Sequence, residues 1–143
     1  YLRRRTGNIN ETMTPIEPLR PADEVALEKL DIIREQKLWQ TGQIKEYHTQ
    51  LTDVVREYIA RRFDVSSTEQ TSDETLRAMR PLLNNQKELY EQLRKMLTLA
   101  DLVKFAKWSA TPDENELSLR SAYAFVKETT KSILEDGAEA STI

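Results

Sequence analysis

The chain has no cysteine, one histidine and only three glycines in 143 residues. Without cysteine there can be no disulfide, no thiol nucleophile and no sulfur-ligated metal. The single histidine, His48, excludes a histidine-based zinc site and would have to serve alone in any Ser-His-Asp triad. Gly7, Gly42 and Gly137 are too few and too scattered for a phosphate-cradling loop. No run is long and apolar enough to span a bilayer. Positive charge is not in excess: Lys and Arg number 21 against 24 Asp and Glu, a formal net charge of −3. That balance argues against a nucleic-acid partner, which requires clustered positive charge. No segment alternates as a strand, and no repeat of solenoid period is present.

What is there is helical. The chain is 38% hydrophobic and 31% charged, too apolar to be disordered throughout. Its length suits one core. From Leu38 to Phe63, the residues Ile44, Tyr47, Leu51, Val54, Val55, Tyr58, Ile59 and Phe63 recur at three- and four-residue intervals. They form one broad stripe, which predicts the central helix of a bundle. An earlier helix begins at Pro21, followed by Asp23 and Glu24 at the positive end of its dipole. Gln40-Thr41-Gly42 breaks it from the central helix, with Thr41 as the expected cap.

Thr71-Ser72-Asp73-Glu74 has the form of a capping box, and the short helix it opens is expected to stop before Pro81. Leu76 and Met79 are its core candidates. A long helix is predicted from Gln86 to about Trp108. Leu89, Leu93, Met96, Leu97, Ala100 and Val103 make its stripe. Leu99, Leu102 and Phe105 widen that stripe, so its second half should be the most buried part of the domain. Thr111-Pro112-Asp113-Glu114 starts a last helix carrying Leu117, Ala124, Phe125 and Ile133, which Gly137 should end. The expected fold is all-α, an irregular bundle of about five helices over residues 21–135. A linker occupies 1–20 and a flexible tail 136–143.

Candidate chemistry is sparse. Glu46 and His48 point to different sides of a helix and cannot chelate one ion. A lone helical histidine also suits a phosphorelay-type domain, but the Lys-Gly that usually follows is replaced by Thr49-Gln50-Leu51. The plain alternative is a partly exposed histidine beside the core. Asp113-Glu114-Asn115-Glu116 lacks the ligand spacing of a calcium loop and has the acids a helix start favours. Asp101, inside an apolar run, should meet an arginine or a helix N-terminus. Arg61-Arg62 is a small basic spot. Trp39 and Trp108 stand at helix ends and, with Arg61 and Arg62, are the partner-surface candidates, because exposed aromatics anchor interfaces. At the N-terminus, Tyr1-Leu2 precedes Arg3, Arg4 and Arg5, then Pro15, Pro18 and Pro21. One reading is a frayed basic end. The other is a juxtamembrane tether just past a transmembrane helix, since arginines hold the cytoplasmic side.

Several segments together carry a family resemblance: Ala26-Leu27-Glu28-Lys29-Leu30, Leu38-Trp39-Gln40-Thr41-Gly42, Arg56-Glu57-Tyr58-Ile59, Glu69-Gln70-Thr71-Ser72-Asp73-Glu74, and Ala100 to Lys107. Over residues 22–130 the chain resembles the cytoplasmic C-terminal domain of membrane proteins of Bacteroides-type aerotolerance (Bat) operons, related to BatD. The family pattern has two aromatics in a row where this chain has Tyr47-His48. The resemblance implies a helical domain on the cytoplasmic face of the inner membrane, behind a transmembrane helix. It implies as partners a MoxR-type AAA+ ATPase or a von Willebrand factor A domain protein. It implies no catalytic residue and no cofactor. The expectation is a non-enzymatic adaptor that binds protein. The alternatives are a phosphorelay-type domain using His48, or a structural or dimerisation domain. No nucleic acid or small-molecule substrate is expected.

Overall fold

The computed structural model describes the backbone of residues 20–141 and the side-chain surroundings of residues 20–131. Arg3, Arg4 and Arg5, most of the expected linker and the end of the expected tail lie outside the described residues. Five helices follow in order: α1 (Ala22–Gln36), α2 (Ile44–Phe63), α3 (Ser72–Leu82), α4 (Lys87–Phe105) and α5 (Pro112–Ser141), with one 3₁₀ turn at Ser67–Glu69. The fold is all-α, as the periodicity requires.

The stripe on α2 is the centre of the core. Tyr47, Leu51, Val55, Tyr58 and Ile59 are all essentially inaccessible to solvent. α2 packs against α1, α4 and α5, and α3 lies on α4. Two sets of contacts fix direction. The Tyr47 hydroxyl donates to the Asn115 carbonyl at 2.7 Å, and the Tyr58 hydroxyl lies 2.6 Å from Thr129 Oγ1. The start of α2 therefore meets the start of α5, and the two run parallel. The short connection over 106–111 folds α5 back along α4, so α4 runs opposite to both. Lys29 of α1 reaches Glu57 of α2 at 2.7 Å. The half-exposed pair tethers α1 weakly, as such pairs do.

Local signals place most boundaries. Thr71 and Glu74 form the reciprocal capping box, and Thr111 and Glu114 form another that opens α5. Four boundaries differ from the sequence reading. α2 starts at Ile44, after the expected break at 40–42, but Gln43 and not Thr41 stands at its cap position. The Thr41 hydroxyl instead donates back to the carbonyls of Lys37 and Leu38, closing a turn in which Gly42 takes φ +89°. α3 runs through Pro81 to Leu82. Pro81 has no N–H to give the carbonyl four residues back, so α3 forgoes one hydrogen bond there and ends one residue later. α4 ends at Phe105, short of Trp108. Gly137 does not stop α5, which continues to Ser141.

Arg56 holds the segment between α2 and α3. Its guanidinium donates to the carbonyls of Ser67 and Gln70 and to the hydroxyls of Ser72 and Thr75, at 2.9–3.1 Å. Burial lowers its pKa, and the fields of Asp101 and Asp53 oppose that shift.

Candidate functional site

Two polar features and one apolar feature stand out. The first polar feature is at His48, which is fully buried rather than partly exposed. The first turn of α5 crosses the first turns of α2 and covers it. His48 Nε2 lies 2.8 Å from Asn115 Oδ1, while Tyr47 grips the main chain of the same asparagine. With Asn115 Oδ1 as acceptor, the imidazole proton sits on Nε2. Nδ1 is then a buried acceptor with no donor among the described residues. Burial lowers the His48 pKa, and Lys104 acts in the same direction. The Asn115 hydrogen bond and the field of Glu114 oppose it. A phosphodonor has no approach to a ring nitrogen enclosed in this way.

The arrangement makes stability pH-dependent. Above about pH 6.5 the ring is neutral in both folded and unfolded chains and contributes no slope. As pH falls below that value the unfolded chain takes up the proton first, so stability drops until the lower folded-state pKa is reached. His48→Gln should flatten the denaturation midpoint over this range. The measurement is urea unfolding at a series of pH values, and an identical slope in the variant would refute the assignment.

The second polar feature, Asp101, does not form the ion pair the sequence suggests. It is half-buried and makes no salt bridge among the described residues. Water still reaches it, so it needs no dedicated partner. The acids at 113–116 serve as helix-start residues, with Glu114 committed to the Thr111 backbone N–H at 2.9 Å. Among the described residues no group of three or more potential ligands could hold a metal ion.

The apolar feature is a groove of about 490 Å³ between α4 and α5. Gln92, Lys95, Leu99 and Leu102 line it from α4, and Glu114, Leu117, Ser118 and Ser121 line it from α5. Trp108 closes one end. Here the sequence reading is corrected most. Leu102 is 39% exposed, Phe105 79%, Trp108 52% and Leu117 50%. The second half of α4 is therefore buried on one face only, through Met96, Leu97, Ala100 and Val103. No described element packs on the other face. Ser118 and Ser121 are short, so the α5 wall does not fill the space. Gln92 also lines the groove, and its Oε1 is buried without a donor among the described residues.

The chain matches no family model, no curated protein and no solved structure. The site must therefore be judged on its own residues. Of the four partner-surface candidates, only Trp108 belongs to the groove. Trp39 is half-buried and lines a separate cleft with Ile33, Tyr47 and Leu119. Arg62 spans to the Thr129 carbonyl at 3.3 Å and sits 4.9 Å over the Phe63 ring. Arg61 donates to the Arg20 carbonyl. Arg62 is half-buried, while Arg61 is exposed. Leu102, Phe105 and Leu117 were missed as surface residues, because helical spacing marks an apolar face without showing whether anything covers it.

Proposed function

We propose that this is a non-catalytic adaptor domain that docks a protein partner on the α4–α5 face. The observation that supports it is that Leu102, Trp108 and Leu117, three large apolar side chains 39–52% exposed, line one groove, with Phe105, 79% exposed, one helical turn beyond Leu102. An exposed apolar patch of this kind marks an interaction site more often than a chance of composition. The resemblance to Bat-operon membrane proteins supplies the context. The domain would be held at the cytoplasmic face of the inner membrane by a preceding transmembrane helix, with Arg3, Arg4 and Arg5 next to the lipid. Its partner would be a MoxR-type AAA+ ATPase or a von Willebrand factor A domain protein, and its role would lie in aerotolerance. Among the described residues no helix is long and apolar enough to cross a membrane.

The test is calorimetric titration of the domain against the ATPase and the von Willebrand factor A protein encoded beside it. A saturable complex with one of them is expected. No heat with either would remove the adaptor reading. A reporter fused after Ile143 in the full-length protein tests the topology separately, and activity of a periplasm-only enzyme there would contradict the cytoplasmic placement.

A further inference from the structure

The start of α5 is fastened differently from the rest of that helix. Between Phe105 and Ala122, Ala110 is the one apolar side chain that is buried. Trp108 and Leu117 are half-exposed, Leu119 is half-buried, and the buried positions go to Asn115, Ser118 and Ser121. Ala122, Phe125 and Val126 are then inaccessible to solvent. Apolar burial therefore anchors α5 from Ala122 onward. At the other end, Trp108 is tied to α4, its N–H donating to the Leu102 carbonyl at 3.0 Å. Residues 109–121 lie between these two fixed points.

Asn115 joins that stretch to α2. Its carbonyl accepts from Tyr47 at 2.7 Å, and its side-chain oxygen from His48 at 2.8 Å. No salt bridge among the described residues ties 109–121 to another element. A segment with little apolar burial, held through one residue, opens at a lower free energy than the core it covers.

Neutral and charged His48 differ in what this closure costs. The neutral ring gives its one proton to Asn115. The charged ring carries a second N–H, at Nδ1, which is buried and has no hydrogen-bond partner among the described residues. The charged groups acting on the ring are Glu114 from α5, which favours the charged form, and Lys104 from α4, which opposes it. Glu114 is already held by the Thr111 N–H at 2.9 Å. On its own helix the ring meets Tyr47 edge-on, with centroids 5.2 Å apart, and burial raises the Tyr47 pKa, so that phenol stays neutral. None of these groups pairs with a proton on Nδ1. A buried charge without a partner is costly, and lifting the start of α5 returns the ring to water.

We propose that His48 is a proton-operated latch: its protonation releases residues 109–121, between Trp108 and Ala122, while α1 to α4 and the rest of α5 stay folded. In the released form the α4–α5 groove lacks the wall made by Glu114, Leu117, Ser118 and Ser121. The latch depends on the α2–α5 contact and not on what the groove binds. Above about pH 6.5 the ring is neutral in both forms, and the opening constant is flat. Below that value the released form takes the proton first. The opening constant then rises, by at most about tenfold per pH unit, until the lower pKa of the closed form is reached.

The test is amide hydrogen exchange on the 143-residue chain, read residue by residue by NMR from about pH 7.5 to about pH 5 and corrected for intrinsic rates. Amides 115–121 should be at least about tenfold less protected than those of 51–59 on α2, and low urea should leave their exchange unchanged, because local release exposes little surface. Their protection should fall with acid over the stated range. His48→Gln keeps a donor for Asn115 and cannot be charged, so it should remove that pH dependence. Asn115→Asp places a carboxylate against the ring, so protection at 116–121 should rise as pH falls toward about 6. Three results overturn the latch. One is 115–121 exchanging with the protection and urea dependence of the α2 core, which would mean that only the whole fold opens. Another is protection there that ignores pH in the wild-type chain. The third is the same slope in His48→Gln, which would assign the acid sensitivity to the Glu114 capping box. The first two are read on the wild-type chain and need neither variant to fold.

Discussion

Tyr58→Ala is expected to cost about 3–5 kcal/mol, the range for removing a large buried aromatic, and to lower the melting temperature by roughly 10–20 °C. The ring is fully buried between α2 and α5, edge-on to Phe125 with centroids 6.0 Å apart. Its hydroxyl adds a second contribution. Thr129 donates to the Phe125 carbonyl at 2.6 Å, which leaves its oxygen to accept from Tyr58. Alanine removes both the packing and that donor. Tyr58→Phe separates them: it keeps the ring and should cost about 1 kcal/mol, the net worth of a hydrogen bond. Leu97→Ala, at another inaccessible core position, should fall in the range of about 2–5 kcal/mol. Urea denaturation measures all three. A loss below about 1 kcal/mol for Tyr58→Ala would mean that the α2–α5 contact is not the centre of the fold.

The second large effect is on binding. Trp108→Glu should weaken the partner complex at least a hundredfold and leave the denaturation midpoint nearly unchanged. Trp108 is half-exposed at the end of the groove, so its removal opens no cavity in the core. An aromatic anchor in an interface carries about 2–4 kcal/mol, and a carboxylate placed on an apolar surface adds its own desolvation cost. Phe105→Ala, further out on the same face, should weaken binding less. Trp39→Ala is the contrasting substitution. Trp39 packs against the core cluster outside the groove, so it should lower stability and leave affinity within a few-fold. The reverse pattern, with Trp39 essential to binding and Trp108 neutral, would move the interface to the cleft beside α1.

Features decided within one turn of chain were legible in the sequence. The two capping boxes, Thr71 with Glu74 and Thr111 with Glu114, follow from four residues each. The core stripe of α2 follows from its period alone. Pro81 misled because a proline disfavours a helix without forbidding it: α3 forgoes one hydrogen bond and continues one residue further. Thr41 misled because a hydroxyl near a helix start has two uses, and here it closes the preceding turn. Features decided across the fold were not legible. His48 and Asn115 are brought together by the crossing of α2 and α5, 67 positions apart in sequence. Nothing around Asn115, set among helix-start acids, marks it as a buried partner. Leu99, Leu102 and Phe105 extend the α4 stripe as core leucines would. Whether such a face is covered depends on the number and placement of helices, which periodicity does not encode.

The central proposal is that the α4–α5 face is the docking surface of a non-catalytic adaptor domain. The most direct test is amide-resolved NMR of the isotope-labelled domain during titration with the proposed partner, a MoxR-type AAA+ ATPase or a von Willebrand factor A domain protein. The account predicts shifts or broadening confined to residues 88–108 of α4 and its following turn, and to 112–121 of α5. Changes centred instead on the Trp39 cleft or on the α2–α3 segment held by Arg56, with α4 and α5 unaffected, would contradict it.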